Sequence, residues 1–436
     1  MRTVSQNRIL LYGLPGLPLA IFGIPLYIYL PPFYAEQLGV QAVGGLLLLA
    51  RLWDVITDPV VGGIGDRLRW RVGRRKTLIV IGVPLLMLSV DQLFRPPEGV
   101  EWGYLLLWSF LAYLAWTLVK LPHDAWGAEL SQDYDQRSSI TGSREVFTLL
   151  GMLVAIILPA LTLGDPEEAA GAALDQLAWG VWITLPVTAG ITVALVPEPR
   201  HPLAPVPWRQ GLELLRNNAP FFRLMIAYIF NGLANAIPAT LFLLFAEHVL
   251  QAEAQVGVML VIYFVAGLAG IPLWLWIARH IGKHRAWSLS MLWASAVFVW
   301  VPLLGPGDGW IFIIICILSG VSVGIDMALP ASIQADMVDQ DTARGGGERT
   351  GLFFGLWGMA TKLALALAVG IAYPLLGLAG FDAEASDPGG LWALSLLYGF
   401  APVPFKLVAV WLIWYFPVDR EVQERTAEEV AALVNE

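Results

Sequence analysis

The chain has 436 residues, of which 57% are apolar and only 14% charged, and it carries 19 tryptophans. Soluble proteins hold about 25% charged residues, so this composition excludes an ordinary soluble enzyme and points to an all-α polytopic membrane protein. A net charge of −9 argues against nucleic acid as a partner, and the single Cys316 excludes a disulfide framework or a multi-cysteine metal site.

A helix needs about 20 mostly apolar residues to cross a bilayer. Stretches of that kind predict twelve transmembrane helices, at 9–33, 40–65, 76–95, 101–128, 139–163, 172–197, 219–249, 254–279, 286–304, 309–335, 350–379 and 390–416. The first is too long and too rich in proline for a cleaved signal peptide, so it is expected to stay in the mature protein. It is broken by Gly13, Pro15, Gly16, Pro18, Gly23 and Pro25. Such broken backbone is tolerated in a membrane only against protein or a cavity, so this span should line the path.

Span 2 carries three charges within eight residues, Arg51, Asp54 and Asp58, at i, i+3 and i+7. A charge at mid-bilayer costs about 2.5–3.5 kcal/mol and needs a partner, a wet cavity or a task. Two carboxylates a turn apart repel unless they share a proton or a small cation, which is the chemistry of a coupling site. A buried Arg51–Asp54 ion pair that only fixes packing is the alternative. Asp66, followed by a basic run to Lys76, suggests a hinge between spans 2 and 3.

Span 4 holds Lys120, Pro122, His123 and Asp124. The proline frees backbone carbonyls beside the cation, and Lys120 and Asp124 have the i, i+4 spacing of a local pair. Span 7 brings Asn231, Asn235 and Pro238, and should line the path with span 1. Asp326 in span 10 lies near the pseudo-equivalent of Lys120, so an acid and a base at matching places in the two halves make a gate or a substrate site. Trp357 and Lys362 lie in span 11, with the lysine too deep to snorkel out. Lys406 in span 12 has apolar neighbours and reads as structural.

The loops orient the chain. Arg67, Arg69, Arg71, Arg74, Arg75 and Lys76 share one side with Arg2, Arg8, Arg137, Arg144, Arg200, Arg209, Arg216, Arg279, Lys283, Arg285, Arg344, Arg349, Arg420 and Arg425. Among the basic residues of the loops, only Arg95 lies opposite, where the loops carry Asp165, Glu167, Glu168, Asp382, Glu384 and Asp387. Positive loops stay inside, so both termini are expected in the cytoplasm of a cell (inner) membrane protein.

A proline-rich polar stretch, 198–218, divides the chain into six-helix bundles at 1–197 and 219–416, with a tail at 417–436. The exit of span 4 (Pro122, Glu129, Asp133, Arg137, Arg144) repeats weakly at the exit of span 10 (Pro330, Asp336, Asp339, Arg344, Arg349). Glu129, Asp133, Asp135 and Arg137, with Asp336, Asp339, Asp341 and Arg344, could form ion pairs that latch the cytoplasmic side, or be solvated loop charge. Twelve spans in two related halves suggest a major-facilitator transporter with its site between the halves.

Three segments then become specific. RLWDVITDPVVGGIGDRLRWRVGRRK in span 2, LPHDAWGAELSQDYDQRSSITGSRE in span 4 and its loop, and WGMATKLALALAVG in span 11 resemble the signatures of the glycoside-pentoside-hexuronide:cation symporter family of the major facilitator superfamily. Melibiose permease and the lysolipid transporters of animals belong to it. The resemblance implies that Asp54 and Asp58 hold the coupling cation with help from Thr117, that Lys362 links cation and substrate sites, and that Arg144 lies near the sugar. The chain departs from the sugar-transporting members where Lys120 replaces a carboxylate before the span 4 proline, and where Leu19 and Ala20 replace a Lys-Asp pair in span 1.

An ammonium beside Asp54 and Asp58 would compete with sodium, which favours protons as the coupling ion. Lys120, Lys362 and Arg144 would suit an anionic solute. The expected function is therefore cation-coupled symport of a sugar or sugar-derived solute, anionic ones included, by alternating access. Substrate-binding candidates are Lys120, Asp124, Arg144, Asn231, Asp326, Trp357 and Lys362, and gating candidates are Arg51, Asp66, Glu129, Arg137, Asp336 and Arg344. The expected protein is a monomer with no cofactor, no metal apart from a sodium ion at Asp54 and Asp58, and a small molecule and the bilayer as partners. A lysolipid or amphiphile carrier of the same fold is the second reading. A non-transporting membrane sensor is a third, from another class; no nucleophile–base pair in the spans suggests an enzyme.

Overall fold

Each apolar stretch of the sequence folds into helix in the computed structural model, which describes residues 4–68, 70, 73–163, 170–199, 213–214, 216–382 and 388–435. Expectations on Arg2, Arg69, Arg71, Asp165, Glu167, Glu168, Arg200, Arg209, Glu384, Asp387 and most of the 198–218 segment, with Pro202, Pro205 and Pro207, lie outside the described residues.

The spanning helices are α1 (Gln6–Ile28), α2 (Val43–Arg67), α3 (Arg74–Phe94), α4 (Trp102–Leu130), α5 (Tyr134–Leu163), α6 (Ala170–Leu195), α7 (Ala219–Val249), α8 (Val256–Ile281), α9 (Lys283–Leu303), α10 (Gly309–Gly346), α11 (Thr350–Leu378) and α12 (Pro388–Ile413). A further helix, α13 (Arg420–Asn435), follows them. Among the described residues no strand occurs, as expected where every backbone polar group must be satisfied inside lipid. Eleven of the helices are long and apolar enough to span. The twelfth, α2, has 25 residues, about 37 Å of rise, but Arg51, Asp54 and Asp58 lower its apolar character. The protein is a multi-pass membrane protein with twelve spanning helices among the described residues.

Prolines mark α2 to α6 and α7, α8, α10 and α11 internally. Membrane helices tolerate them because neighbours re-satisfy the freed carbonyls. Gly73 (φ +118°) and Gly282 (φ +90°) precede α3 and α9, each at the entry to a helix that begins with basic residues. The Glu198 carboxylate caps α3, accepting from the Arg75 and Lys76 amides at 2.9 and 3.1 Å.

By contacts the chain resolves into two compact units. One comprises Met1–Leu214, Val338–Met359 and Gln423–Glu436; the other comprises Leu215–Met337 and Ala360–Val422. In the first unit α2 and α3 pack on α4, α3 also packs on α6, and α1 packs on α5 and α6. In the second, α8 and α9 pack on α10, α9 also packs on α12, and α7 packs on α12. The pairs 1–6, 2–4, 3–4 and 3–6 therefore recur as 7–12, 8–10, 9–10 and 9–12. The stretch 338–359, which joins α10 to α11, and α13 from Gln423 onward group with the first unit. There Gln423 donates to Asp339 Oδ2 at 2.9 Å.

Candidate functional site

The helical spacing of Asp54 and Asp58 places both side chains toward α4, where they are almost wholly buried. The Thr117 hydroxyl lies 2.8 Å from Asp58 Oδ1 and 3.1 Å from Asp54 Oδ1. A hydroxyl has one hydrogen and therefore donates to one carboxylate only. Its second contact is attractive when the other carboxyl carries a proton or a cation sits between the oxygens. The start of α11 closes this site, because Gly355 and Gly358 have no side chain: a Cβ at 355 would lie 2.7 Å from the Asp58 carbonyl, and one at 358 would collide with the Asp58 carboxylate. Arg51 does not pair with Asp54 among the described contacts; its guanidinium lies 4.4 Å over the Tyr27 ring.

Asp124 is the centre of a second cluster. Lys120 donates to its Oδ2 at 2.5 Å and Arg144 to its Oδ1 at 2.7 Å, while Arg144 also pairs with Glu145 at 2.7 Å. The Lys120 ammonium thus goes to Asp124, one turn along its own helix, instead of offsetting Asp54 and Asp58. Two cations and two anions sum to zero, so the cluster lacks the positive excess expected of it. Lys120 remains 44% exposed and available to a ligand. His123 is packed: it stacks on Tyr12 at 4.4 Å, and its Nε2 lies 2.7 Å from the Tyr12 carbonyl.

In the second unit Asp326 is surrounded by donors. Asn231 and Trp287 reach Oδ1 at 2.9 and 2.6 Å, Asn235 reaches Oδ2 at 2.7 Å, and the Lys406 ammonium lies 3.5 Å from Oδ2 and 2.9 Å from Asn231 Oδ1. The counter-charge of Asp326 therefore lies in its own unit, as that of Lys120 does. Lys406, read from its neighbours as structural, is the missing partner; only its depth in span 12 hinted at one. Asp326 and Lys406 stand at one end of a cavity of about 230 Å³ within this unit. On α11 Trp357 is buried and Lys362 half-buried.

The gating candidates meet a dense set of ion pairs. In the first unit Arg75, 1% exposed, binds Asp66 at 2.7 Å and Glu129 at 2.6 Å; Arg74 binds Glu129 at 2.9 Å and Glu348 at 2.5 Å. Asp66 also accepts from the Gly351 and Leu352 amides at 2.7 and 2.8 Å, at the positive end of α11. Arg137 pairs with Asp339 at 2.7 Å. Arg349 pairs with Asp341 at 2.5 Å, whereas Arg344 is exposed on the turn beside Gly345. In the second unit Lys283 holds Asp336 at 2.6 Å, the counterpart of Arg75 and Glu129 in the repeat. Lys283 was legible only as loop charge, and Arg349 as loop charge and a position of the weak repeat.

Comparison with known proteins decides the family. The family described as MFS/sugar transport protein matches residues 11–420. The chain belongs to that family. Among relatives of this transporter, the sodium-dependent lysophosphatidylcholine symporter 1 of Homo sapiens is 23% identical, over 98% of this chain and 88% of that protein. The glucuronide carrier protein homolog of Escherichia coli is 22% identical, over 92% of this chain and 90% of that one. The fold matches the crystal structure of the E. coli fucose:proton symporter with a TM-score of 0.67 at 16% identity, covering 96% of this chain and 100% of that one.

The closeness of α11 to Asp58 gives the transporter a testable constraint. Gly358→Ala is expected to lower uptake in membrane vesicles about tenfold or more, since the methyl must push the carboxylate from Thr117, and a few tenths of an ångström at such a site are costly. Gly370→Ala, on the same helix with open space around it, should transport like the parent. Equal uptake by the two variants, corrected for protein amount, would remove Gly358 from the site.

Proposed function

We propose that the protein is a cation-coupled symporter of the cell (inner) membrane, with both termini cytoplasmic, that moves a sugar or sugar-derived solute by alternating access of six-helix halves, 1–197 and 219–416. Asp54, Asp58 and Thr117 form the coupling site. The observation that carries this reading is one hydroxyl between two buried carboxylates. Protons are favoured over sodium, on new grounds. Lys120 is engaged by Asp124, but a protonated carboxyl supplies the hydrogen that Thr117 lacks for its second contact.

We assign solute binding to Lys120, Asp124, Arg144 and Trp357 of the first unit and to Asn231, Asp326 and Lys362 of the second, and gating to Asp66, Glu129, Arg137, Asp336, Arg51 and Arg344. Asp124 and Arg144 offer acceptors and donors to hydroxyl groups, while the exposed Lys120 favours an acid. The glucuronide carrier homolog supports a sugar acid. The lysophosphatidylcholine symporters and the apolar cavity of the second unit favour the second reading, an amphiphile carrier.

Counterflow in proteoliposomes tests these readings together. A panel of neutral sugars, uronates, glycosides and lysolipids is offered with a sodium or a pH gradient. A uronate or glycoside driven by acid outside is the expected result; sodium-driven lysolipid exchange with no sugar response would replace it. Lys120→Ala should raise the KM for the acid about tenfold and leave that for a neutral sugar within twofold, an ion-pair-sized effect. Equal changes for both would remove Lys120 from recognition.

A further inference from the structure

The cavity of the second unit has an apolar body and one polar end. Aliphatic side chains share its body with aromatic rings, among them Phe242, Tyr263, Phe298, Phe312 and Tyr398. Phe298 and Phe312 lie 5.8 and 6.1 Å from Tyr398, and Phe242 stacks on Phe312 at 6.3 Å. The wall between α8 and α10 is firm because their glycines let the backbones touch: a Cβ on Gly320 would lie 2.5 Å from the Tyr263 carbonyl, and one on Gly270 would strike Val321.

At the polar end two donors remain unspent. Ser322 sits where α10 breaks, 4% exposed, and its hydroxyl has no hydrogen-bond partner. Lys406, 7% exposed, spends two of its three hydrogens on Asn231 and Asp326 among the described contacts. Asp326, by contrast, already receives two donors on each oxygen. A ligand here must therefore accept hydrogen bonds. It must also be uncharged, because Lys406 and Asp326 already balance and a further buried charge would lack a counter-ion.

Size and shape narrow the class. A cavity of about 150 Å³ lined by apolar side chains takes up benzene, and this one is about 230 Å³. Ring-lined walls favour flat aromatic groups through stacked and edge contacts. We propose that this cavity binds an uncharged aromatic group of about two fused rings bearing one hydrogen-bond-accepting oxygen, which Ser322 and Lys406 hold. The group is either a free compound or the apolar part of a glycoside. The second case rests on the transport reading and names its substrate class; binding in the cavity does not rest on it.

Equilibrium dialysis of radiolabelled 2-acetylnaphthalene against detergent-solubilised full-length protein, with a detergent-only cell as background, tests this. One saturable site per chain is expected, weakened about five- to tenfold by Ser322→Ala, the loss of one hydrogen bond. Naphthalene, without the oxygen, should also bind more weakly. Ala294→Phe or Ser295→Phe, each filling the cavity, should abolish binding. Cys316, the only cysteine of the chain, lines the cavity, so the ligand should slow its modification by methyl methanethiosulfonate severalfold in unmutated protein.

No binding above background, no protection of Cys316, unaltered binding in a folded cavity-filling variant, or tighter binding of 2-naphthoate would each overturn the proposal. Displacement by 6-acetyl-2-naphthyl glucoside identifies a glycoside, and its failure to displace leaves the free compound as ligand. The dialysis uses no vesicle or gradient, so its failure leaves the transport reading standing, and absent counterflow leaves the cavity standing.

Discussion

Asp58→Asn is expected to lower gradient-driven accumulation about 100-fold, the upper range of coupling between two ligands, while exchange without a gradient should fall only a few-fold. The amide keeps the shape of the carboxyl and still meets Thr117, 2.8 Å away, so the helices stay packed. It cannot take up and release a proton, and its carbonyl oxygen brings no negative charge to a bound cation. Accumulation and counterflow measured on the same proteoliposomes separate the two effects. Asp54→Asn should behave likewise, and Thr117→Val should cost less, since one hydrogen bond is worth about 0.5–1.5 kcal/mol. If both asparagine variants still concentrate solute against a gradient, coupling lies elsewhere.

Arg75→Ala has the largest expected effect on stability. Its guanidinium is buried between Asp66 and Glu129. Removing one partner of a buried ion pair costs about 3–5 kcal/mol, because the remaining charge keeps its desolvation penalty without compensation. Asp66 retains two backbone donors from α11 and Glu129 retains Arg74, which puts the expectation at the lower end. The check is thermal unfolding of purified protein, in which Arg75→Ala should melt well below the parent. Lys283→Ala, which removes the buried ion pair with Asp336 in the second unit, should also lower the melting temperature. Parent-like melting of both would make these pairs surface-like in energy.

The twelve spans were legible because a bilayer imposes length and hydropathy together, and the one ambiguous span, α2, was marked by the three charges within it. Asp54, Asp58 and Thr117 were legible as a set: the acids by helical spacing, the threonine by family resemblance. The partners of Asp326 were not. Trp287, Asn235 and Lys406 come from three other helices, and nothing in a sequence tells which face of an apolar helix meets which neighbour. Lys120 shows the converse: its local i, i+4 partner was visible, but the ion pair outweighed the longer-range effect that the substitution suggested. Arg349 rather than Arg344 holds Asp341 because the turn at Gly345 (φ +86°) leaves Arg344 facing outward, a backbone detail that composition does not encode.

The contact between Asp66 and the Gly351 amide in the first turn of α11 joins residues 285 apart in the chain. At roughly 5–20 residues per second of synthesis, the carboxylate waits about a quarter of a minute to a minute for that partner. Meanwhile every helix from α3 to α10 must enter the membrane. Arg75, nine residues away, is the partner that can neutralise Asp66 during that interval. Biogenesis is therefore expected to have two stages at this corner: a local ion pair early, and a late backbone lock that forms only when α11 has been made. A nascent chain arrested before residue 350 would carry the ion pair without the lock, and should present that corner to membrane proteases.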